Sequence, residues 1–140
     1  MFRTLQGTKG TITLYHDINN KMSRYLLDSL KQHQVTSKDV EFKYNLDINT
    51  NSTSITKDQF KFLQNCLHTH PFCKVSFKSA FPSITENVDL VKDLENLNLP
   101  NNIGEIPIKR PLVVDWDHQL MAITDKGLQK IIDQYNGKDN

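Results

Sequence analysis

The stretch that most constrains the fold is Lys109-Arg110-Pro111-Leu112-Val113-Val114-Asp115-Trp116-Asp117-His118-Gln119-Leu120-Met121-Ala122-Ile123. It reads as a strand that opens on a proline, turns at Asp117-His118 and returns as a second strand. Proline has no amide hydrogen, so it fits the first residue of a strand and not its middle. Val113, Val114 and Trp116 favour a pleated, half-buried surface. The returning Leu120-Met121-Ala122-Ile123 is apolar enough to pair with them. A connection this tight allows only an antiparallel hairpin.

The remaining elements are read in chain order. Thr11-Ile12-Thr13-Leu14-Tyr15, preceded by Gly10, is a short strand of β-branched and aromatic residues. Asp17 or Asn19 can cap the helix that follows, where Met22, Leu26 and Leu30 share one side and Tyr25 and Leu27 widen it. Val40 to Ile48 alternates apolar and polar residues, which predicts a strand with Glu41, Lys43, Asn45 and Asp47 on its wet face. Asn49 to Ser54 is a polar loop. A second helix runs from about Thr56 to Leu67, with Phe60, Leu63 and Leu67 at helical spacing, and Pro71 ends it. Phe72 to Thr85 reads as a packed loop. Val88, Leu90, Val91, Leu94 and Leu97 give a short third helix stopped by Pro100. Gly104 to Ile108 connects it to the hairpin, and Thr124 caps a last helix whose buried face is Leu128, Ile131, Ile132 and Tyr135, closed by Asn136-Gly137.

Strand, helix, strand at the start favours a parallel pair joined by a right-handed crossover. Adding the hairpin and the last helix gives a βαβ unit followed by ββα. The simplest closed solution is an α/β fold of thioredoxin type: a four-stranded mixed sheet with helices on both faces. The domain spans 11–136, between an N-terminal segment 1–10 and a tail 137–140.

Composition narrows the function classes. A chain of 140 residues with 37% apolar and 24% charged residues suits one soluble globular domain. A formal net charge of +1 and the lack of a basic stripe give no electrostatic case for nucleic acid. No apolar run approaches the roughly 20 residues that cross a bilayer. A monomer is expected, with no cofactor. The first ten residues carry Arg3 and Lys9 and no acid, a pattern compatible with a short organelle-targeting leader.

The chain resembles a known group through Thr11-Ile12-Thr13-Leu14-Tyr15-His16, Ser23-Arg24 and Arg110-Pro111-Leu112-Val113-Val114. These are similar to the thioredoxin-like arsenate reductase and Spx pattern. Through Val113-Val114-Asp115-Trp116-Asp117 the chain also resembles a small fungal family described as mitochondrial redox proteins. The resemblance implies a thioredoxin fold, a mitochondrial location and an oxidoreductase role on a small oxidised or toxic molecule or a disulfide. In arsenate reductases a cysteine lies three residues before the Ser-Arg pair, where a helix N-terminus stabilises its thiolate. The matching residue here is Asn20, which can cap a helix but cannot act as a nucleophile. Arg110 matches an arginine that helps hold the oxyanion, and Pro111 matches the proline, often cis, that begins the third strand. The fungal family's redox cysteine, before the Val-Asp-Trp strand, has no counterpart between Val88 and Lys109.

The two cysteines are the remaining thiol candidates. Cys66, beside Leu63 and Leu67, reads mainly as a small buried hydrophobe. Cys73 follows the expected stop at Pro71, beside Lys74, whose charge could lower a thiol pKa. Cys66, His68, His70 and Cys73 form a ligand inventory of zinc or copper(I) type, but their spacing matches no structural zinc pattern, so no metal is assigned. His16 sits at the carboxyl end of the first strand, where open α/β sheets gather their binding sites, and reads either as a solvated loop histidine, the commoner case, or as a polar ligand contact. Asp115 and Asp117 read as a wet strand face and a turn residue. Two function classes follow. One is a thiol-dependent oxidoreductase using Cys73, with Cys66, and binding substrate through Arg110, Pro111, His16 and Asn20. The other is a non-enzymatic thioredoxin-like binding module that has lost its nucleophile at Asn20.

Overall fold

A computed structural model of the chain describes residues 10–34, 43–85, 88, 91–97, 99 and 104–135. The elements in order are β1 (Thr11–Tyr15), α1 (Lys21–Gln34), β2 (Asn45–Asn49), β3 (Ser54–Thr56), α2 (Lys57–Asn65), a 3₁₀ turn (Cys66–His68), α3 (Pro71–Ala80), α4 (Pro82–Thr85), α5 (Val91–Glu95), β4 (Glu105–Pro107), β5 (Leu112–Asp115), β6 (Leu120–Ala122) and α6 (Asp125–Asp133). The expected α/β architecture stands. Four strands form a mixed sheet in the order β2-β1-β5-β6. β1 pairs β2 in parallel and β5 antiparallel, and β5 pairs β6 antiparallel with Asp115 opposite Leu120. This is the thioredoxin-like arrangement.

Successive strand residues point to opposite faces, and all four residues of β5 are buried. Both faces of the sheet are therefore covered at that strand. The core runs through Ile12 and Leu14, Leu26 and Leu30, Leu112 to Val114, and Leu128, Ile131 and Ile132. Phe60, Phe77 and Phe81 close it in a ring triad with centroids 5.1–5.2 Å apart. Tilted or edge-on pairs of this kind each add about 0.5–1.5 kcal/mol beyond the area they bury.

Several expectations need correction. Pro71 does not stop a helix; it starts one. It occupies the first turn of α3, where its missing amide hydrogen would have no partner anyway, and His70 caps that helix by accepting the Phe72 amide hydrogen on Nδ1 at 3.2 Å. Phe72 to Thr85 is thus two helices rather than a packed loop, and Cys73 is a helical residue. The last residue of the polar loop opens one three-residue strand and the connection into the hairpin contains another: β3 and β4 pair antiparallel and bury Ile55 against Ile106. Val40 to Phe42, Pro100 and Asn136-Gly137 lie outside the described residues. Within the described part of that alternating segment Tyr44 is buried and Leu46 half-buried, but Ile48 is exposed because β2 is an edge strand.

Two helix faces also differ. In α1 the buried residues are Ser23, Leu26 and Leu30, while Met22 and Tyr25 face outward. Asp115 is fully buried rather than wet. Its two oxygens meet the Tyr135 hydroxyl (2.8 Å), the His118 amide hydrogen (3.3 Å) and the His118 ring (2.8 Å). Burial of a carboxylate is tolerable only with such partners. Asp117 is a turn residue whose Oδ2 accepts the Thr11 amide hydrogen. Thr56 caps α2 through a full capping box with Gln59, whereas Thr124 precedes α6 without a side-chain cap bond.

In α6, Gly127 rests on β6: a Cβ there would lie 2.9 Å from the Ala122 Cβ. Gly→Ala inside a helix ordinarily stabilises by about 1 kcal/mol. Here overpacking should outweigh it, so Gly127→Ala is expected to destabilise by about 1–3 kcal/mol in urea unfolding. Ala122→Gly in the same chain should recover part of that loss; recovery of none would show that the contact does not limit this site.

Candidate functional site

The sheet topology decides where the polar residues meet. β5 runs antiparallel to β1 with Leu112 opposite Tyr15. Arg110 and Pro111, which enter β5, therefore arrive beside the carboxyl end of β1. The Arg110-Pro111 peptide is cis. On the other side, Asn20 caps α1: its Oδ1 accepts the Ser23 amide hydrogen at 2.9 Å. Neither Asp17 nor Asn19 fills that role. Asp17 instead accepts the Asn19 amide hydrogen and shapes the loop before the helix.

Asn20 and Pro111 line one cavity of about 230 Å³ together with Met22, Ser79, Lys109, Arg110 and Ile123. A second cavity of about 370 Å³ lies at the carboxyl ends of the parallel strands β1 and β2, lined by His16, Asp17, Ile18, Thr50, Asn51 and Arg110. Arg110 is common to both. Its Nη1 donates to the carbonyls of His16 (3.0 Å) and Thr50 (2.7 Å), which ties the loops after β1 and β2 together. Its Nη2 is buried and meets no acceptor among the described residues. A buried donor left unmet costs about 1–3 kcal/mol, and more when it is charged.

The residues around this guanidinium are themselves held. His16 Nδ1 lies 2.6 Å from Ser23 Oγ, which also accepts the Asp17 amide hydrogen at 2.9 Å. Both His16 and Ser23 are buried, so this pair braces the turn from β1 into α1 and does not present a nucleophile. Burial first, and then the Asp47 carboxylate, push the Tyr15 phenol up, while Arg110 opposes the shift. Tyr15 therefore stays neutral at physiological pH and can donate a hydrogen bond.

The four binding residues expected from the sequence thus gather around Arg110: Asn20 and Pro111 in one cavity, His16 in the other. Lys109, Ser79, Met22, Ile18, Ile123, Thr50 and Asn51 join them unforeseen. The sequence signal for Ser79 was available, since Cys73, Phe77 and Ala80 recur at helical spacing and put Ser79 on the opposite side.

The cysteines lie elsewhere. Cys66 and Cys73 are both free thiols with no exposed surface, and neither lines the two cavities. Cys66 directs its sulfur to the Phe62 carbonyl at 3.3 Å. Burial, with smaller contributions from Cys73 and Asp115, pushes its pKa up to about 12. Burial also raises Cys73, so the lowering expected from Lys74 does not prevail in the helix. His68 pairs with Glu95 and His70 caps α3. Among the described residues no group of three or more potential ligands converges on a metal position. None of the helices among them is long and apolar enough to cross a membrane. The expected leader segment falls on Met1 to Lys9, outside the described residues.

The thiol shifts have a consequence for alkaline stability. A thiol whose folded pKa is raised stays protonated in the fold while the unfolded chain already ionises. The stabilisation is fully present below the ordinary value of 9.0 and is lost as pH rises toward about 12. Stability measured by urea unfolding should fall over that window, and Cys66→Ala should flatten the slope. Both thiols should also resist iodoacetamide at pH 8 until the chain unfolds; rapid alkylation of folded protein would contradict their placement.

No curated protein and no solved structure is significantly similar to the chain. A family model does match it, over residues 2–124, and on that match the chain belongs to DUF1687, a family of proteins of unknown function.

Proposed function

We propose that this protein is a thiol-independent binding module of thioredoxin-like form whose groove takes an anionic group at Arg110. The observation that carries the reading is the state of the guanidinium. It is fixed by two carbonyls, forms no ion pair among the described residues, and keeps one buried donor without an acceptor. Backbone carbonyls orient a cation but do not neutralise it. A carboxylate or another oxyanion would do so, through the short charge-assisted hydrogen bonds that arginine forms best. Lys109, which lines the smaller cavity, adds to a setting that favours negative charge.

The oxidoreductase reading that accompanies the family resemblance requires a reactive thiol at the same groove. Asn20 stands where that thiol would be, and its oxygen is committed to capping α1. Cys66 and Cys73 are enclosed by core residues, with thiols kept protonated by burial. A thiolate is the nucleophile in such chemistry, so the geometry supports the binding reading over the catalytic one.

The test is calorimetric titration of the full chain with sulfate, phosphate and acetate. At least one of the three should bind, and Arg110→Gln should weaken it by about ten- to a hundredfold, the loss expected for charge-assisted hydrogen bonds. A Cys66→Ala, Cys73→Ala double variant that retains its circular dichroism should bind as the parent does. Anion binding unchanged by Arg110→Gln, or a thiol-dependent reductase activity abolished by Cys73→Ala with the fold intact, would overturn the proposal.

A further inference from the structure

We infer that the anionic group belongs to an extended peptide segment of a partner protein, an acidic residue flanked by apolar ones, laid across Arg110 from one cavity to the other. The inference rests on the binding reading above and names its ligand. Size is the first argument. The two cavities, about 230 and 370 Å³, share Arg110 as their common wall. Sites of roughly 300–1,000 Å³ hold organic ligands, and an inorganic oxyanion would leave most of this space unused.

The second argument is what surrounds the charge. Five large apolar side chains are exposed among the described residues: Ile18, Met22, Tyr25, Ile48 and Val75. Ile18, 63% exposed, lines the larger cavity, and Met22, 37% exposed, lines the smaller. Tyr25, half exposed, follows Met22 by three residues on α1 and so adjoins it on the helix surface. Two of the five thus line the cavities and a third adjoins Met22 on α1, where scattered placement would need no explanation. They flank the two cations of the groove, Lys109 and Arg110, against the single lining carboxylate of Asp17.

A ligand complementary to that surface has a negative centre and apolar shoulders. An extended chain supplies this pattern with an acidic residue and apolar residues two positions to either side of it, since alternate side chains of a strand point the same way. Ser79, Thr50 and Asn51, which line the two cavities, supply polar side chains for the amides and carbonyls of such a chain. Charge complementarity therefore selects an acidic partner segment over a basic one, and the exposed rim selects one with apolar neighbours.

The experiment uses fluorescein-labelled heptapeptides with amidated C-termini, carrying Glu or Gln at the central position and Leu or Ser as its same-face neighbours two residues to either side. Binding to the full chain is followed by anisotropy, with sulfate titrated in parallel. The Glu peptide with Leu neighbours should bind tightest, and its Gln counterpart should lose about tenfold. Ile18→Ser and Met22→Ser, both changes to exposed apolar side chains that line the cavities, should each weaken that peptide by roughly threefold or more and sulfate by less. Arg110→Gln should weaken both by about ten- to a hundredfold. Sulfate binding that depends on Arg110, with no peptide preferring Leu neighbours or responding to Ile18→Ser and Met22→Ser, would overturn this inference and leave the anion site standing. Failure of every anion and every peptide would remove both.

Discussion

The structure depends on the antiparallel pairing of β1 with β5. β1 is the hub of the sheet, bonded to β2 on one side and β5 on the other. β5 is buried along its whole length. Their register sets Tyr15 beside Leu112, and everything polar at that end of the sheet follows. Arg110 precedes β5 by two residues, so it is delivered to the carboxyl ends of β1 and β2 at once. There it bonds a carbonyl from each following loop. One guanidinium thus links three segments that are far apart in sequence.

The same pairing gives the two ends of the sheet different characters. At the other end, Asp115 meets Tyr135 and His118, Asp117 holds the Thr11 amide, and Trp116 donates to Thr13 Oγ1 at 2.8 Å. Those polar groups are matched to one another, and they fasten the hairpin to α6 and to the start of β1. The Arg110 end is not matched: a buried donor lacks an acceptor among the described residues and apolar side chains stand exposed around it. Only one other buried side-chain polar atom among the described residues lacks a hydrogen-bond partner, Glu95 Oε2, and it faces His68; the mismatch at Arg110 is what supports the proposed reading of the groove.

Much of this was legible in the sequence, for particular reasons. β1, the hairpin and α6 carry their own periodicity, so local pattern was sufficient to find them and to imply the mixed sheet. Arg110 and Pro111 could be placed at the groove because their position at the entry to β5 fixes where they go. What was missed depends on distant partners. Three-residue strands such as β3 and β4 are too short to show alternation, and each exists only because the other pairs with it. Pro71 fits both a helix stop and a first helical turn, and His70 as a cap decides between them. Ser23 replaces Met22 on the buried side of α1 because His16 and the Asp17 amide meet its hydroxyl. Asp115 looked wet because its partners, His118 and Tyr135, could not be recognised as such before the fold was known. The thiols were the least legible of all, since reactivity depends on surroundings rather than on spacing.

The central claim is that Arg110 holds a fixed guanidinium with one donor that meets no acceptor among the described residues, and it can be observed at the atoms concerned. Low-temperature ¹⁵N-edited NMR resolves the Nη hydrogens of an arginine whose rotation is restrained. Before any addition, Arg110 should show Nη1 hydrogens shifted by their bonds to the two carbonyls, distinct from those of Nη2. On titration with sulfate the Nη2 hydrogens should move downfield while the Nη1 hydrogens change little. A single averaged guanidinium signal, or Nη2 hydrogens unmoved by saturating sulfate, would contradict the account.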